Sequence, residues 1–256
     1  MTDTEQAPAT ETRMSLIDHL TELRKRLVIS FIAIGVGAVV GWVFYDWIID
    51  QLLRPYCSIV ETEADCVVFA RDPLELFNVK LTIAGYSGLI LAMPVILWQV
   101  WRFVAPGLYS HEKKYAVPFI LSAAALFFLG AGLAYWSVPK ALEWLISQGG
   151  DNFEELFAPK EYFGFIVKMM VAFGIGFEFP IALIFLQILG LVDNKTLRRG
   201  RQYAIVGIVA LVAVITPSGD PFTLAVLSVP MYLFYEIAIL FGRLRIRRAD
   251  KAAAPT

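Results

Sequence analysis

The chain has 256 residues, of which 58% are hydrophobic and only 18% are charged. Soluble domains are usually about 45–50% apolar and about 25% charged, so this composition excludes a disordered chain and indicates a membrane protein. The 22 Lys and Arg residues nearly balance the 23 Asp and Glu residues, which argues against a partner that is a nucleic acid.

Six apolar segments follow one another along the chain and predict an all-α polytopic membrane protein. They run approximately from Leu27 to Ile49, Phe77 to Trp101, Tyr115 to Val138, Tyr162 to Leu189, Tyr203 to Thr216 and Phe222 to Phe241. The fifth would rise only about 21 Å, whereas the hydrocarbon core of a bilayer is about 30 Å thick. We therefore expect six transmembrane helices, with short fifth and sixth helices.

The distribution of Lys and Arg predicts the orientation of these spans. Sixteen of the 22 lie in the two terminal segments and in two connections on the same side, and only four lie on the opposite side. The positive-inside rule then places both termini in the cytoplasm. We expect a flexible cytoplasmic tail at 1–13, a single six-helix domain at 14–242 and a basic cytoplasmic tail at 243–256.

The segment from Ser15 to Leu27 precedes the first span and predicts an amphipathic helix, because its leucines recur at helical spacing. Glu22 and Arg26, four residues apart, would form an ion pair on its surface. We expect this helix to lie along the cytoplasmic interface. Small residues at four-residue spacing in the first span predict close packing against another helix: Ala33, Gly37 and Gly41.

Two acidic residues are unusual in their surroundings. Glu112 is the only acid in an otherwise basic connection between the second and third spans, and its simplest role is that of a solvated charge. Glu178 lies near the middle of the fourth span, where a charge costs about 2.5–3.5 kcal/mol on insertion scales. Glu178 is therefore expected to face protein, water or a partner, or to be protonated. Pro180 predicts a kink beside it.

The chain has few residues for metal or nucleophilic chemistry. Its only cysteines, Cys57 and Cys66, lie in the first outer connection, where they form a disulfide in an oxidising compartment or remain free thiols. The two cysteines and the two histidines of the chain are too few to support a multi-ligand zinc site or a haem held by paired histidines. No P-loop, Ser/His/Asp set or HExxH motif is present, so we expect no metal and no cofactor.

Three stretches, in order, resemble the TatC family, which forms the core of the twin-arginine protein translocase. They run from His19 to Arg26, from Pro94 to Lys114 and from Phe173 to Pro180. The likeness extends from about residue 14 to residue 242. It implies a glove-like, concave six-helix domain in a bacterial inner membrane, with both termini in the cytoplasm, as the charge distribution also predicts.

The resemblance also implies a function without enzymatic activity. Members of the family receive folded proteins whose signal peptides carry two consecutive arginines, and they act with the single-span proteins TatA and TatB. The proton-motive force drives them, and they have no ATPase of their own. Contact with membrane lipid and assembly with further copies within the translocase are expected as well.

Residue by residue, the resemblance implies a signal-peptide site, a partner contact and an outer-turn contact. The signal-peptide positions are Glu22, Arg24, Phe103, Leu108 and Glu112. Their two carboxylates would pair with arginine, whose planar fork lysine cannot reproduce, and Arg24 would orient either Glu22 or the interface helix. Glu178 would contact partner helices or the inserted signal. Asp220 is a candidate contact in the outer turn.

Three other classes compete with this interpretation. A small-molecule secondary transporter would use Glu178 and Lys168 as a site near the midplane, although no inverted repeat is visible. A membrane-embedded enzyme would need a converging set of nucleophile and base or of metal ligands, and the sequence suggests none. A passive scaffold for single-span proteins would differ from a translocase only in binding no cargo signal.

Overall fold

The computed structural model describes residues 16–60, 66, 68–104, 116–149, 158–217 and 219–253, and these ranges contain helices and no strand. The helices are α1 (Leu16–Val43), α2 (Tyr45–Cys57), α3 (Pro73–Val104), α4 (Ala116–Ser147), α5 (Pro159–Phe177), α6 (Phe179–Ile188), α7 (Asn194–Arg199), α8 (Arg201–Ile215) and α9 (Pro221–Ala253). The all-α prediction is confirmed for this part of the chain.

Five stretches of the described chain are long and apolar enough to cross a membrane: Ile17–Val43, Pro73–Phe103, Val117–Ser147, Pro159–Ile188 and Pro221–Leu244. The apolar helix α8 has only 15 residues and rises about 22 Å, as expected for the fifth segment. The prediction of a short sixth helix is wrong, because α9 has 33 residues. Its apolar part continues without a break into the basic segment beyond residue 242.

Helix α1 is one unbroken helix of 28 residues, so the segment predicted to be an amphipathic helix is helical and leads directly into the first span. The leucines and basic residues between Leu20 and Leu27 are strong helix formers, and no proline or glycine interrupts them. The amphipathic segment therefore continues directly into the apolar one. The helix ends at Val43, and α2 begins at Tyr45 and occupies the beginning of the expected outer connection.

Helices α1 and α3 pack closely along small residues. A Cβ atom added to Gly88 would lie 2.5 Å from the carbonyl oxygen of Ile34, and one added to Gly37 would lie 2.8 Å from the carbonyl oxygen of Gly88. The two backbones thus approach as closely as glycine allows, which confirms the predicted packing of the first span. This contact sets the beginning of α1 beside the end of α3.

The core is centred on α5, which packs against α3, α4 and α9. The side chains of Phe163, Ile166, Met169 and Phe173 are almost fully buried. Helix α5 ends at Phe177 and α6 begins at Phe179, because Pro180 has no N–H group to continue the hydrogen-bond ladder. The kink predicted beside Glu178 is therefore confirmed.

Candidate functional site

A group of polar and aromatic side chains lies where the beginning of α1 meets the end of α3. The two helices run in opposite directions. His19 in α1 therefore lies beside Phe103 at the end of α3, and Arg26, further along α1, lies beside Gln99, one turn before Phe103. We call this group the α1–α3 cluster; it consists of His19, Glu22, Arg26, Gln99 and Phe103.

The Arg26 guanidinium is divided between two acceptors in this cluster. Its Nη2 atom donates to Oε1 of Glu22, one turn earlier on α1, which confirms the predicted ion pair. Its Nη1 atom donates to Oε1 of Gln99 on α3 over 3.3 Å. The side chains of Glu22 and Arg26 are 16% and 13% exposed, and Gln99 is 7% exposed. This partly desolvated network joins the two helices.

The second carboxylate oxygen of Glu22 has no hydrogen-bond donor among the described residues. Within the described parts of the chain, Oε2 of Glu22 accepts no hydrogen bond although it is buried. A buried acceptor without a donor is unfavourable by about 1–3 kcal/mol, and by more when it is charged. Nε of Arg26 is likewise buried without an acceptor, so the Glu22–Arg26 pair keeps an unused acceptor and an unused donor. A cationic donor that reached this oxygen would satisfy it.

An apolar groove of about 270 Å³ runs between α1 and α3 next to the Glu22–Arg26 pair. Its apolar walls are formed by Leu23, Leu27, Phe31, Ile34, Ile96 and Val100. At one end His19 stacks on Phe103, with ring centroids 4.3 Å apart. A carboxylate beside an apolar groove fits a segment in which cationic residues precede apolar ones.

The structure brings only some of the expected site residues together. Glu22 and Phe103 lie in the α1–α3 cluster, whereas Arg24 is exposed. The residue that orients Glu22 is Arg26, so that role for Arg24 is wrong. Leu108 and Glu112 lie outside the described residues. Sequence reasoning missed Gln99, although it stands one turn before Phe103 on the same face of α3.

Glu178 lies at the break between α5 and α6 and lines an apolar pocket of about 230 Å³. The other walls come from α3, α4 and α6, and they include Leu97, Val100, Trp101, Phe119, Ile120 and Phe185. Among the described residues, Oε1 of Glu178 is buried and accepts no hydrogen bond. Glu178 therefore faces a pocket within the protein, and its Oε1 atom is not held by a hydrogen bond from the described residues.

The remaining charged residues of the spans do not form a shared polar site with Glu178. Lys168 is exposed and precedes it by ten residues, a rise of about 15 Å along α5, so the site postulated for a secondary transporter is wrong. Lys80 lies over the rings of Trp42 and Tyr45, at 4.8 and 4.9 Å. These aromatic faces partly compensate its charge.

Asp220 has a structural role at the beginning of α9. It is 1% exposed, and its Oδ1 atom accepts a hydrogen bond from the backbone N–H of Thr223 over 2.8 Å. Its Oδ2 atom accepts another from the Thr223 hydroxyl. The carboxylate thus satisfies donors at the beginning of α9.

Cys57 and Cys66 form a disulfide that ties the end of α2 to the connection before α3. The described residues include no group of three or more His, Cys, Asp or Glu side chains that could hold a metal ion.

Comparison with known proteins identifies the family. Residues 18–230 match the model of the family described as Sec-independent protein translocase protein (TatC). The chain is 38% identical to the Sec-independent protein translocase protein TatC of Magnetococcus marinus, over 95% of this chain and 90% of that one. It is also 38% identical to the Aquifex aeolicus protein of the same name, over 92% and 97% of the two chains.

A solved structure described as the crystal structure of the twin arginine translocase receptor TatC has the same fold, with a TM-score of 0.73 and 37% identity. The likeness covers 88% of this chain and 98% of that chain. Both kinds of comparison agree with a multi-pass membrane protein that takes part in transport and is not an enzyme. The chain belongs to the TatC family and is a core subunit of the twin-arginine protein translocase.

Proposed function

We propose that this chain binds the twin-arginine signal peptides of folded cargo, with Glu22 as the anchor in the α1–α3 cluster. The observation that carries the proposal is the second carboxylate oxygen of Glu22, which is buried and accepts no hydrogen bond from the described residues. A signal arginine donates to this oxygen through its planar guanidinium, a geometry that lysine does not reproduce. The apolar part of the signal then lies along the groove beside it.

Further residues complete this site in the proposal. Glu112, the only acid of its basic loop, supplies the second carboxylate for the arginine pair. Phe103 and Leu108 pack against the apolar part of the signal. Arg24, exposed on α1, acts at the membrane interface rather than on Glu22. Opposite charges on peptide and site favour arginines over uncharged side chains.

The proposed topology has six crossings, with the fifth formed by α8, and both termini in the cytoplasm of a bacterial inner membrane. The sixteen Lys and Arg residues on one side support this orientation. Because α8 rises about 22 Å, the bilayer is thinned around it or its outer end lies below the membrane surface. A single membrane domain at 14–242 then lies between tails at 1–13 and 243–256, in a glove-like, concave shape.

The proposed partners are TatA and TatB, further copies of this chain and membrane lipid, with the proton-motive force as the source of energy. Glu178 is the proposed contact for a partner helix or for the inserted signal, because its pocket is apolar except for that carboxylate. Glu178→Ala should then retain peptide binding but lose crosslinks to TatA and TatB. Unchanged crosslinks together with normal export would contradict this role.

The test of the signal-binding proposal compares Glu22→Gln with Asp18→Asn in an export assay on cells. Both changes remove one acid from the first turns of α1, but Asp18 is exposed and outside the α1–α3 cluster. Export should be lost with Glu22→Gln and retained with Asp18→Asn, at equal amounts of inserted protein. Normal export by Glu22→Gln would contradict the proposal.

A further inference from the structure

We propose that a pocket between the beginning of α8 and the middle of α9 binds an anionic phospholipid, whose phosphate is held by Arg201 and Arg243. This inference rests on the proposed contact with membrane lipid, which it assigns to a site, and it does not depend on signal binding. The pocket has a volume of about 290 Å³. Its charged walls are Arg201, Glu236 and Arg243, and its apolar walls include Leu233, Ile237 and Leu240.

The charges in this pocket leave one guanidinium without a carboxylate. Nη2 of Arg201 donates to Oε2 of Glu236 over 2.7 Å, and the hydroxyl of Tyr232 donates to Oε1 over 3.1 Å. Among the described residues that line the pocket, Glu236 is the only acid, so both of its oxygens are engaged. Arg243 is partly buried and forms no ion pair within the described ranges. The excess of one positive charge matches an anionic phosphodiester.

The apolar side of the pocket indicates that this anion belongs to a lipid. Leu233, Ile237 and Leu240 follow one another on one face of α9, four and three residues apart, and they are 58%, 50% and 53% exposed. They belong to the stretch Pro221–Leu244, which is long and apolar enough to cross a membrane, and Arg243 lies at its end. An acyl chain along this stripe would therefore have its phosphate next to the arginines, whose charged groups reach toward the membrane surface.

The ion pair orients Arg201 for a phosphate. The hydrogen bond to Glu236 uses one of the five N–H donors of the guanidinium, and the side chains of the two residues are only 44% and 31% exposed. The remaining donors match the geometry of two phosphate oxygens, which lysine would not reproduce. Basic pockets between transmembrane helices bind anionic headgroups in this way.

The experiment measures lipid bound to the full chain by native mass spectrometry, with phosphatidylglycerol or phosphatidylcholine added to the detergent. The wild type should prefer phosphatidylglycerol at least about tenfold, and Arg243→Gln should reduce this preference about fivefold, the usual effect of one arginine near an anionic lipid surface. Arg199→Gln is the matched control, because it removes the same charge at an exposed position of α7 outside the pocket. The control should keep the preference of the wild type.

Three results would overturn the proposal. Equal affinity of the wild type for the two lipids would exclude an anion site. Equal losses in Arg243→Gln and Arg199→Gln would show that a diffuse basic surface attracts the lipid. Displacement of the lipid by inorganic phosphate in tenfold excess would show a site for free anions.

A further measurement in membranes separates a lipid from a partner helix as the occupant. A photo-reactive amino acid in place of Leu240 should form adducts with phospholipid. Adducts with protein and none with lipid would overturn the proposal. None of these measurements uses a signal peptide, so their failure leaves the proposed signal binding intact, and a failure of signal binding leaves the lipid site intact.

Discussion

The hydroxyl of Tyr135 on α4 donates a hydrogen bond of 2.7 Å to the carbonyl oxygen of Gln51 in α2. In a regular helix that oxygen would accept the N–H of residue 55, but Pro55 has none. The hydroxyl of Tyr162 on α5 donates a hydrogen bond of 2.8 Å to the carbonyl oxygen of the next residue, Leu52. Two tyrosines therefore hold α2, with its internal proline, against the core.

Replacing Tyr135 by Phe should lower the free energy of unfolding by about 1 kcal/mol, because the Gln51 carbonyl would lose its donor. The measurement is the melting temperature of the purified protein in detergent. Tyr203→Phe serves as the control, since Tyr203 is 74% exposed. Equal melting temperatures for the two variants would contradict this account of α2.

Gly88→Ala should destabilise the protein by about 1–3 kcal/mol, because the added methyl group would overlap the α1 backbone. Gly85→Ala, one turn earlier on α3, is a matched control, because a Cβ there has no neighbour within 4 Å. Gly88→Ala should also weaken signal-peptide binding, since it separates the helices that carry the α1–α3 cluster. Equal stability of the two variants would show that α1 and α3 do not pack along Gly88.

Asp220→Ala should lower the free energy of unfolding by about 0.5–2 kcal/mol, which is the usual contribution of a helix N-cap side chain. Asp220→Asn should retain most of the stability. Asparagine keeps the acceptor for the Thr223 N–H that Asp220 provides. Thermal unfolding of both variants measures this difference. A loss of export without a loss of stability in Asp220→Asn would instead favour a partner contact at the outer turn.

Alkylation followed by mass spectrometry should label Cys57 and Cys66 only after reduction, because the two thiols form a disulfide. The protein for this measurement must be taken from cells with free thiols blocked at lysis. A bridge formed in cells would also support the proposed outer position of this connection, since the cytoplasm keeps thiols reduced. Labelling of both residues without prior reduction would contradict the disulfide.

Local spacing was sufficient to predict several features of the structure. The Glu22–Arg26 pair and the close packing at Gly37 both follow from residues four apart on a helix. The break at Glu178 follows from the proline two residues later. The capping role of Asp220 could have been predicted as well, since an Asp followed by Pro and then by Thr at the third helical position is an N-terminal helix pattern.

Other features depend on contacts between distant parts of the chain. Gln99 contacts a residue 73 positions away, and nothing in its own apolar segment indicates that partner. Helix α2 was expected to lie partly in a connection, because it carries charges and Pro55. Tyr135 and Tyr162, from two other helices, donate to two of its carbonyl groups, and its own sequence does not indicate these partners.

The most direct test of the central claim is the binding of a labelled twin-arginine signal peptide to the purified chain, beside a twin-lysine peptide of otherwise identical sequence. We expect the arginine peptide to bind at least about tenfold more tightly, because only a guanidinium matches the carboxylate fork. Its binding should be lost with Glu22→Gln or Glu112→Ala. Equal affinity for the two peptides, or wild-type binding by Glu22→Gln, would contradict the claim that this carboxylate recognises the signal.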